Sequence, residues 1–264
     1  MGAAMEPRVT FIIAHHNYQH YLPQAIQSAV NQTYENIHIC IIDDCSDDQE
    51  SVLDIIHTFT GQKMIDIEHG NNIITYRCDL LTYVQLLSGG KSYGPSYARN
   101  RGIEACWDTT DIFAILDADD ENYPTKIERS IEVLQCDPRI GAVYTDTNIL
   151  QVTNNRIVRE YREPYDYTRL LQECIVHSGC VIPKQVLENI LEDGVVFDES
   201  MSHCEAYDLW VRISEKFLFY HIPEALVLVR VHAQNSTETS SSEHRISKLQ
   251  HLFNKRAIRN QCHI

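Results

Sequence analysis

The chain predicts an α/β protein with a mostly parallel central sheet flanked by helices, and three observations predict it. Short apolar, strand-like runs alternate with helix-periodic runs from residue 9 to about residue 125. The links between them are short. Chemically versatile residues follow directly on the apolar runs, at the strand carboxyl ends where open parallel sheets bind their ligands.

Val9 to Ala14 reads as a buried strand, and Tyr21 to Asn31 as a helix with Leu22, Ile26, Ala29 and Val30 on one face. Ile37 to Ile42 is a second strand, ended by Asp43 and Asp44. Ser46 to Asp48 offer capping groups for a helix carrying Val52, Leu53, Ile55 and Ile56. Met64 to Ile67 reads as a short strand, Ser96 to Cys106 as a helix, and Ile112 to Leu116 as a strand running into the acidic residues 117 to 121. After Pro124 the alternation loosens: a helix at Ile127 to Leu134, a strand at Gly141 to Thr145, and another at Ile175 to Ile182 leading into a helix at Lys184 to Leu191. Glu205 to Lys216 is amphipathic and Phe219 to Val231 strand-rich. From Ser236 a polar hinge precedes a basic helix with Ile246, Leu249, Leu252 and Phe253 on one side. That helix, with Lys248, Lys255, Arg256 and Arg259, either packs on its own domain or meets a membrane or partner.

A formal charge of −15, from 37 acidic against 22 basic residues, disfavours general attraction to nucleic acid or to an anionic membrane. No apolar run approaches the roughly 20 residues that span a bilayer, and MGAAMEPR lacks the apolar block of a signal peptide. The expectation is a cytoplasmic protein without a transmembrane segment. Nine cysteines with no C-x-x-C pair argue against a zinc knuckle or a disulfide framework and read as mostly buried thiols.

Asp117, Ala118, Asp119 and Asp120 form a D-x-D-D run at a strand end. Carboxylates this close repel one another in a poorly solvated cleft unless a cation neutralises them, and magnesium or manganese is the natural partner. The alternative is a solvated acidic turn before Pro124. Asp43 and Asp44 are read either as turn and capping groups or, for Asp44, as an acceptor for the imide of a uracil ring. His15 and His16 alternate sides on an extended chain, so packing of one against a base or ribose is preferred over joint metal coordination. Arg99 is either a phosphate contact or a surface ion pair. Trp107 and Trp210 read as core.

The segment VTFIIAHHNYQHYLPQAIQSAVNQTYENIHICIIDDCSDD resembles the opening of family 2 glycosyltransferases, which have the GT-A fold. GPSYARNRGIEA, ILDADDENYP, FDESMSHCEAYDLWVRIS and LVRVHAQNST resemble later segments of the same family, in the same order, so the similarity spans residues 8 to 237. The resemblance implies a Rossmann-like sheet with a nucleotide-sugar-binding half at 1–124, an acceptor-binding and catalytic half at 125–235, and a hinge and terminal helix at 236–264. It implies that Ala14, His15, His16 and Asp44 hold the nucleotide base, with Asn17 and Asp43 also at the donor site, and that Asp117 or Ala118 lies at the ribose. Asp119 would bind Mn2+ or Mg2+ bridging the diphosphate, and His232 would complete the coordination or touch the phosphates. Glu205 aligns with the general base of a single inverting displacement, with Asp208 as the runner-up.

The donor implied is a nucleotide-diphosphate sugar, most often a UDP-sugar; the acceptor, whether glycan, glycoprotein or lipid-linked, is not legible. Departures from the family matter. His16 replaces the usual aromatic, and Ala206 stands where a second acid often follows the first. The stretch from Asn71 to Tyr93 is longer than usual, and Lys91, beside Gly89 and Gly90, would suit a loop closing over the diphosphate. A module that binds nucleotide-sugar without turnover is the rival that Ala206 supports. A sugar nucleotidyltransferase is disfavoured because the loop after the first strand, HHNYQHY, has no glycine.

Overall fold

A computed structural model describes residues 6–61, 65–69, 72–88, 91–201, 204–233, 235, 250 and 252–257, with side chains left aside at 65–69. The first half lays down β1 (Val9–His15), α1 (Leu22–Val30), β2 (Ile37–Asp43), α2 (Gln49–Thr60), β3 (Ile65–His69), β4 (Ile73–Arg77), β5 (Leu81–Leu86), α3 (Pro95–Cys106) and β6 (Ile112–Ile115). The second half adds β7 (Glu121–Asn122), α4 (Lys126–Cys136), β8 (Ile140–Gln151), β9 (Arg156–Glu160), α5 (Tyr167–Gln172), β10 (Val181–Pro183), α6 (Lys184–Ile190), α7 (Glu205–Ser214) and β11 (Leu218–Val231).

Among the described residues the strands form one sheet in the order β3-β4-β5-β2-β1-β6-β10-β8-β11-β7, with β9 added on β8. β5, β2, β1 and β6 are parallel. The sheet is covered on both faces, which is why β1 and β2 read as nearly continuous apolar runs, interrupted inside only by Thr10 and His38. Ile12, Cys40 and Ile42 face a layer holding Ile103 of α3, Leu187 of α6 and Trp210 of α7. Their neighbours Phe11, Ile13, Ile39 and Ile41 face Ile26 of α1, Val52 of α2 and Ile127 of α4. α3 lies close on β2 because Gly102 has no side chain: a Cβ there would stand 2.3 Å from Ile42 Cδ1. Asp48 caps α2, its carboxylate accepting from Ser51 N at 3.0 Å, as the capping pattern predicts. Trp210 is fully buried and Trp107 packs against the same core.

Three expectations are corrected. The strand that runs parallel beside β2 is β5; of the short strand expected at Met64 to Ile67, Met64 lies outside the described residues and the rest is in β3, antiparallel to β4 at the sheet edge. The stretch from Asn71 to Tyr93 therefore carries two strands, β4 and β5, rather than one long loop. The strand expected at Ile175 to Ile182 shrinks to β10, leaving 174–180 as a connection. β10 runs antiparallel to both β6 and β8, and β11 is parallel to β8. The amino end of β10 and the carboxyl end of β11 consequently reach the same sheet edge as the carboxyl ends of β1, β2 and β6.

Of the terminal helix, residues 252–257 are described and helical. Leu252 is fully buried in the core, and Lys255 pairs with Asp198 at 2.7 Å and Glu192 at 2.9 Å, so this part packs on its own domain. The hinge from Ser236 with Ile246, Lys248, Leu249 and Arg259 lies outside the described residues. No helix among the described residues is long and apolar enough to cross a membrane.

Candidate active site

A cavity of about 1010 Å³ opens at that shared edge. Ala14, His15, His16, Asn17, Asp44, Arg99, Asp117, Ala118, Asp119 and Glu205 all line it, so the chain's sequence-predicted residues from both halves converge there. His232, at the end of β11, is joined to them by a 3.0 Å contact between Nε2 and Asp119 Oδ2.

Three predicted residues are not brought into the cleft. Asp43 is fully buried and takes up Ser46 N at 2.9 Å and the Tyr83 hydroxyl at 3.0 Å, a structural role at the end of β2. Lys91 is exposed and is not among the cavity's lining residues. Asp208 is fully buried within α7, where its Oδ2 accepts from Arg212 Nε at 2.8 Å. A carboxylate one turn into that helix faces its packed side rather than the cleft.

The acidic run is split by its surroundings. Asp117 is gripped by Arg99 Nη2 at 2.8 Å and by Ser178 Oγ at 2.6 Å. Burial works against its charge, yet the Arg99 guanidinium, the Ser178 hydroxyl and the Lys126 ammonium together outweigh burial and hold Asp117 below the usual carboxylate range. Asp119 and Asp120 go the other way. Burial raises Asp119, and the neighbouring Asp117 charge adds to it. Burial raises Asp120 further, followed by the charges of Asp119 and Asp117. Asp120 accepts from Arg230 N at 3.0 Å, whereas the Arg230 guanidinium bonds the backbone carbonyl of Asp119 at 2.6 Å. Asp119 Oδ2 accepts from Asn235 Nδ2 at 3.0 Å besides His232. Tyr21 stacks on the His232 ring with centroids 4.8 Å apart.

Lys126 lies beneath this loop, fully buried, and donates to Asn122 Oδ1 at 3.0 Å and to the Gly179 carbonyl at 2.7 Å. Burial pushes its ammonium down to about 8, against the raising pull of Cys180, Asp120 and Asp117.

At the other end of the cleft, Asp44 is already committed to protein. Its carboxylate accepts from Ser92 Oγ at 2.6 Å, Tyr93 N at 2.8 Å and Gly94 N at 2.8 Å, which fixes the turn leading into α3. A carboxylate has about four acceptor positions, so about one remains for a ligand. His16 Nδ1 lies 2.7 Å from the Asp44 carbonyl, which locks the ring across the cleft mouth. His15 meets a different partner, Asp43 at 3.8 Å, and neither of its buried ring nitrogens has a hydrogen bond. Burial drives the His15 imidazole down to about 4, so it is neutral near pH 7.

Glu205 is the first residue of α7, following Cys204 in the left-handed region at φ 62°. Its Oε1 accepts from Arg99 Nη1 at 2.8 Å. Arg99 is therefore neither a surface ion pair nor a free phosphate ligand: it is 7% exposed and joins Asp117 to Glu205.

Sequence reasoning missed several lining residues, among them Tyr18, Ser92, Arg162, His177 and Ser178. The tyrosine lies inside the HHNYQHY loop and was within reach of it. Ser92 sits on the turn into α3, and Arg162, His177 and Ser178 on connections of the second half, none of which carries a local signature.

An acidic cluster and a separate carboxylate face one cleft at the carboxyl edge of a mostly parallel sheet, the arrangement that the resemblance to GT-A glycosyltransferases leads one to expect. The profile of glycosyl transferase family 2 matches residues 10–74 and 79–191. The chain belongs to that family. An uncharacterised glycosyltransferase of Rickettsia prowazekii is 28% identical over 246 residues, 90% of this chain and 68% of the relative. Escherichia coli chondroitin synthase is 26% identical over 232 residues, 88% of this chain and 30% of the synthase. Among solved structures, S. aureus TarS 1-349 in complex with UDP-GlcNAc superposes with a TM-score of 0.67 at 14% identity, covering 89% of this chain and 61% of that one. The Pyrobaculum calidifontis mannosyltransferase PcManGT, in complex with GDP-Man and Mn2+, gives 0.62 at 19% identity, covering 96% and 65%. The chain thus spans about two thirds of these solved chains and of the Rickettsia relative, and under a third of the synthase.

Proposed function

We propose that this glycosyltransferase moves a sugar from a nucleotide-diphosphate donor, a UDP-sugar first among candidates, onto an acceptor hydroxyl with inversion. The observation that carries this reading is the presence of Asp119 and Glu205 in one cleft, with Asp117 and Arg99 between them. UDP-GlcNAc in TarS and GDP-Man with Mn2+ in PcManGT support a nucleotide-sugar and a divalent cation here.

The residues fit such a cation. Burial and Asp117 disfavour the charged form of Asp119, a frustration that a hard cation relieves. Among the described residues no three His, Cys, Asp or Glu side chains converge as a complete cage. Asp119 and His232 would hold Mn2+ or Mg2+, and the donor phosphates would fill out the shell, as such ions commonly arrange. When bound, the cation supplies Lewis-acid stabilisation of charge developing on the departing diphosphate.

The chain's own groups do the rest. Ala14, His16 and the remaining acceptor position of Asp44 take the base, and the Asp117–Ala118 segment lies at the ribose. Glu205, with Oε1 held by Arg99, takes the acceptor proton at Oε2 on the face opposite the diphosphate. The division near residue 124 then separates donor binding from acceptor binding. A cytoplasmic setting accords with the free thiols of all eight described cysteines.

The test is a panel of nucleotide-sugars with manganese and candidate acceptors, read as release of free nucleoside diphosphate. Release with one donor supports the reading. Tight donor binding with no release under any acceptor supports the second one, a module that holds nucleotide-sugar without turnover, which Ala206 in the cleft wall favours.

A further inference from the structure

We propose that Arg99 is the positioning residue for Glu205: it anchors the acceptor-side carboxylate to the donor-side carboxylate Asp117 and so fixes which oxygen and which direction Glu205 presents. This rests on Glu205 being the base.

The geometry is a continuous chain of short contacts across the floor of the cleft. Ser178 Oγ donates to Asp117 Oδ2 at 2.6 Å, Arg99 Nη2 to Asp117 Oδ1 at 2.8 Å, and Arg99 Nη1 to Glu205 Oε1 at 2.8 Å. Each carboxylate spends one oxygen on the guanidinium. Asp117 spends its other on Ser178, so Glu205 Oε2 is the oxygen left to meet an acceptor. An arginine is suited to this because its planar fork serves two carboxylates with separate N–H groups, whereas a lysine is a single point charge on a flexible stem.

The guanidinium is itself fixed. The Arg99 side chain is 9% exposed and stacks over Phe197 with 5.5 Å to the ring centroid. The next residue, Asn100, holds the Phe197 backbone at both ends, donating to its carbonyl at 2.8 Å and accepting from its N–H at 2.9 Å. Gly102, one turn along, sets α3 against β2. Burial disfavours the Arg99 charge, but Asp117 and Glu205 outweigh it and keep the guanidinium ionised.

A base at the first position of α7, behind a left-handed residue, has no neighbouring acid to replace it, because position 206 is alanine. Its aim therefore depends on Arg99. Displacing a reacting group by about 1 Å costs on the order of 100-fold in rate. Loss of Arg99 is expected to do that without removing the donor's cation-binding residues, Asp119 and His232.

The experiment compares Arg99→Ala, Arg99→Lys and Glu205→Gln in the full chain, with the donor and acceptor found in the panel. Manganese-dependent affinity for uridine diphosphate is measured by calorimetry and kcat by diphosphate release. Arg99→Ala is expected to keep donor affinity within about threefold and to lose about 100-fold in kcat. Methylguanidinium should restore kcat by about tenfold in Arg99→Ala, and not in the Arg99→Ala, Glu205→Gln double variant. Arg99→Lys keeps charge and stem; it should show the same loss of kcat at near-unchanged affinity, and it is the variant to read if the alanine protein does not fold. The proposal is overturned if either Arg99 variant turns over at the wild-type rate while Glu205→Gln is inactive, or if donor affinity falls in step with kcat. Retention of kcat by Glu205→Gln is a separate failure, that of the base assignment itself.

Discussion

Replacing Lys126 with methionine tests how the acidic loop is supported from below. The ammonium is fully buried and bonded to two neutral oxygens, and burial brings it down to about 8 from 10.5. An unfolded chain holds that proton more tightly, so between pH 8 and 10.5 the unfolded state binds more protons and stability rises with pH. The sign is opposite to that of a lysine gaining a carboxylate partner. At pH 7 the displaced titration costs about 3 kcal/mol, and by pH 9.5 the cost falls to about 1.5, a relief of about 2 kcal/mol carried by this one group. Urea unfolding at pH 7 and 9.5 measures it as a difference between wild type and Lys126→Met, which cancels the tyrosine and thiol titrations common to both. Methionine also leaves Asn122 Oδ1 and the Gly179 carbonyl without this donor, at about 1–3 kcal/mol each. Lys126→Gln, which keeps an N–H donor without the charge, is the companion variant. Identical pH dependence in all three proteins would refute the reasoning, and would mean that Asp117 and Asp120 already compensate the buried charge in full.

Three further outcomes follow from the site. Asp119→Ala should abolish manganese-dependent binding of uridine diphosphate by calorimetry, since it removes the cleft carboxylate that meets His232. Glu205→Gln should leave that binding intact and lower kcat by roughly 100- to 10,000-fold, the usual range for removing a general base; loss of binding in step with kcat would contradict the division of labour. Asp208→Ala should cost up to about 3–5 kcal/mol in unfolding free energy, because it removes the carboxylate paired with buried Arg212 and leaves that guanidinium the carbonyls of Ile190 and Val196 and the more distant Glu192, while kcat per folded molecule stays near wild type. Should Asp208 instead prove indispensable for turnover in folded protein, Glu205 would lose its role.

The sequence carries the parallel core openly because burial on both faces leaves β1, β2 and β6 as nearly continuous apolar runs ending in polar residues. It hides β4 and β5 because Thr75, Thr82 and Gln85 interrupt their apolar pattern, so a strand beside β2 passes for a loop. The carboxylates of the cleft are legible as residue types, but their states are not. Asp117 and Asp119 are two positions apart and are shifted in opposite directions, since only Asp117 meets Arg99. Asp44 looks available in sequence and is largely taken up by residues 92 to 94, nearly fifty positions on. Arg99 reads as an exposed helical cation because its partners lie 18 and 106 residues away.

Topology explains how residues so distant form one site. A parallel sheet delivers the ends of β1, β2 and β6 to a single edge, which gives the cleft His16, Asp44 and Asp119 but nothing from the second half. The reversal at β10 changes this. Because β10 is antiparallel to β6, the chain approaching it from Cys174 to Ser178 arrives at the same edge and places Ser178 on Asp117. Because β8 reverses again and β11 runs parallel to it, the end of β11 returns there too and sets His232 on Asp119 across 113 residues. One antiparallel strand thus brings residues of the second half onto the carboxyl edge of the first.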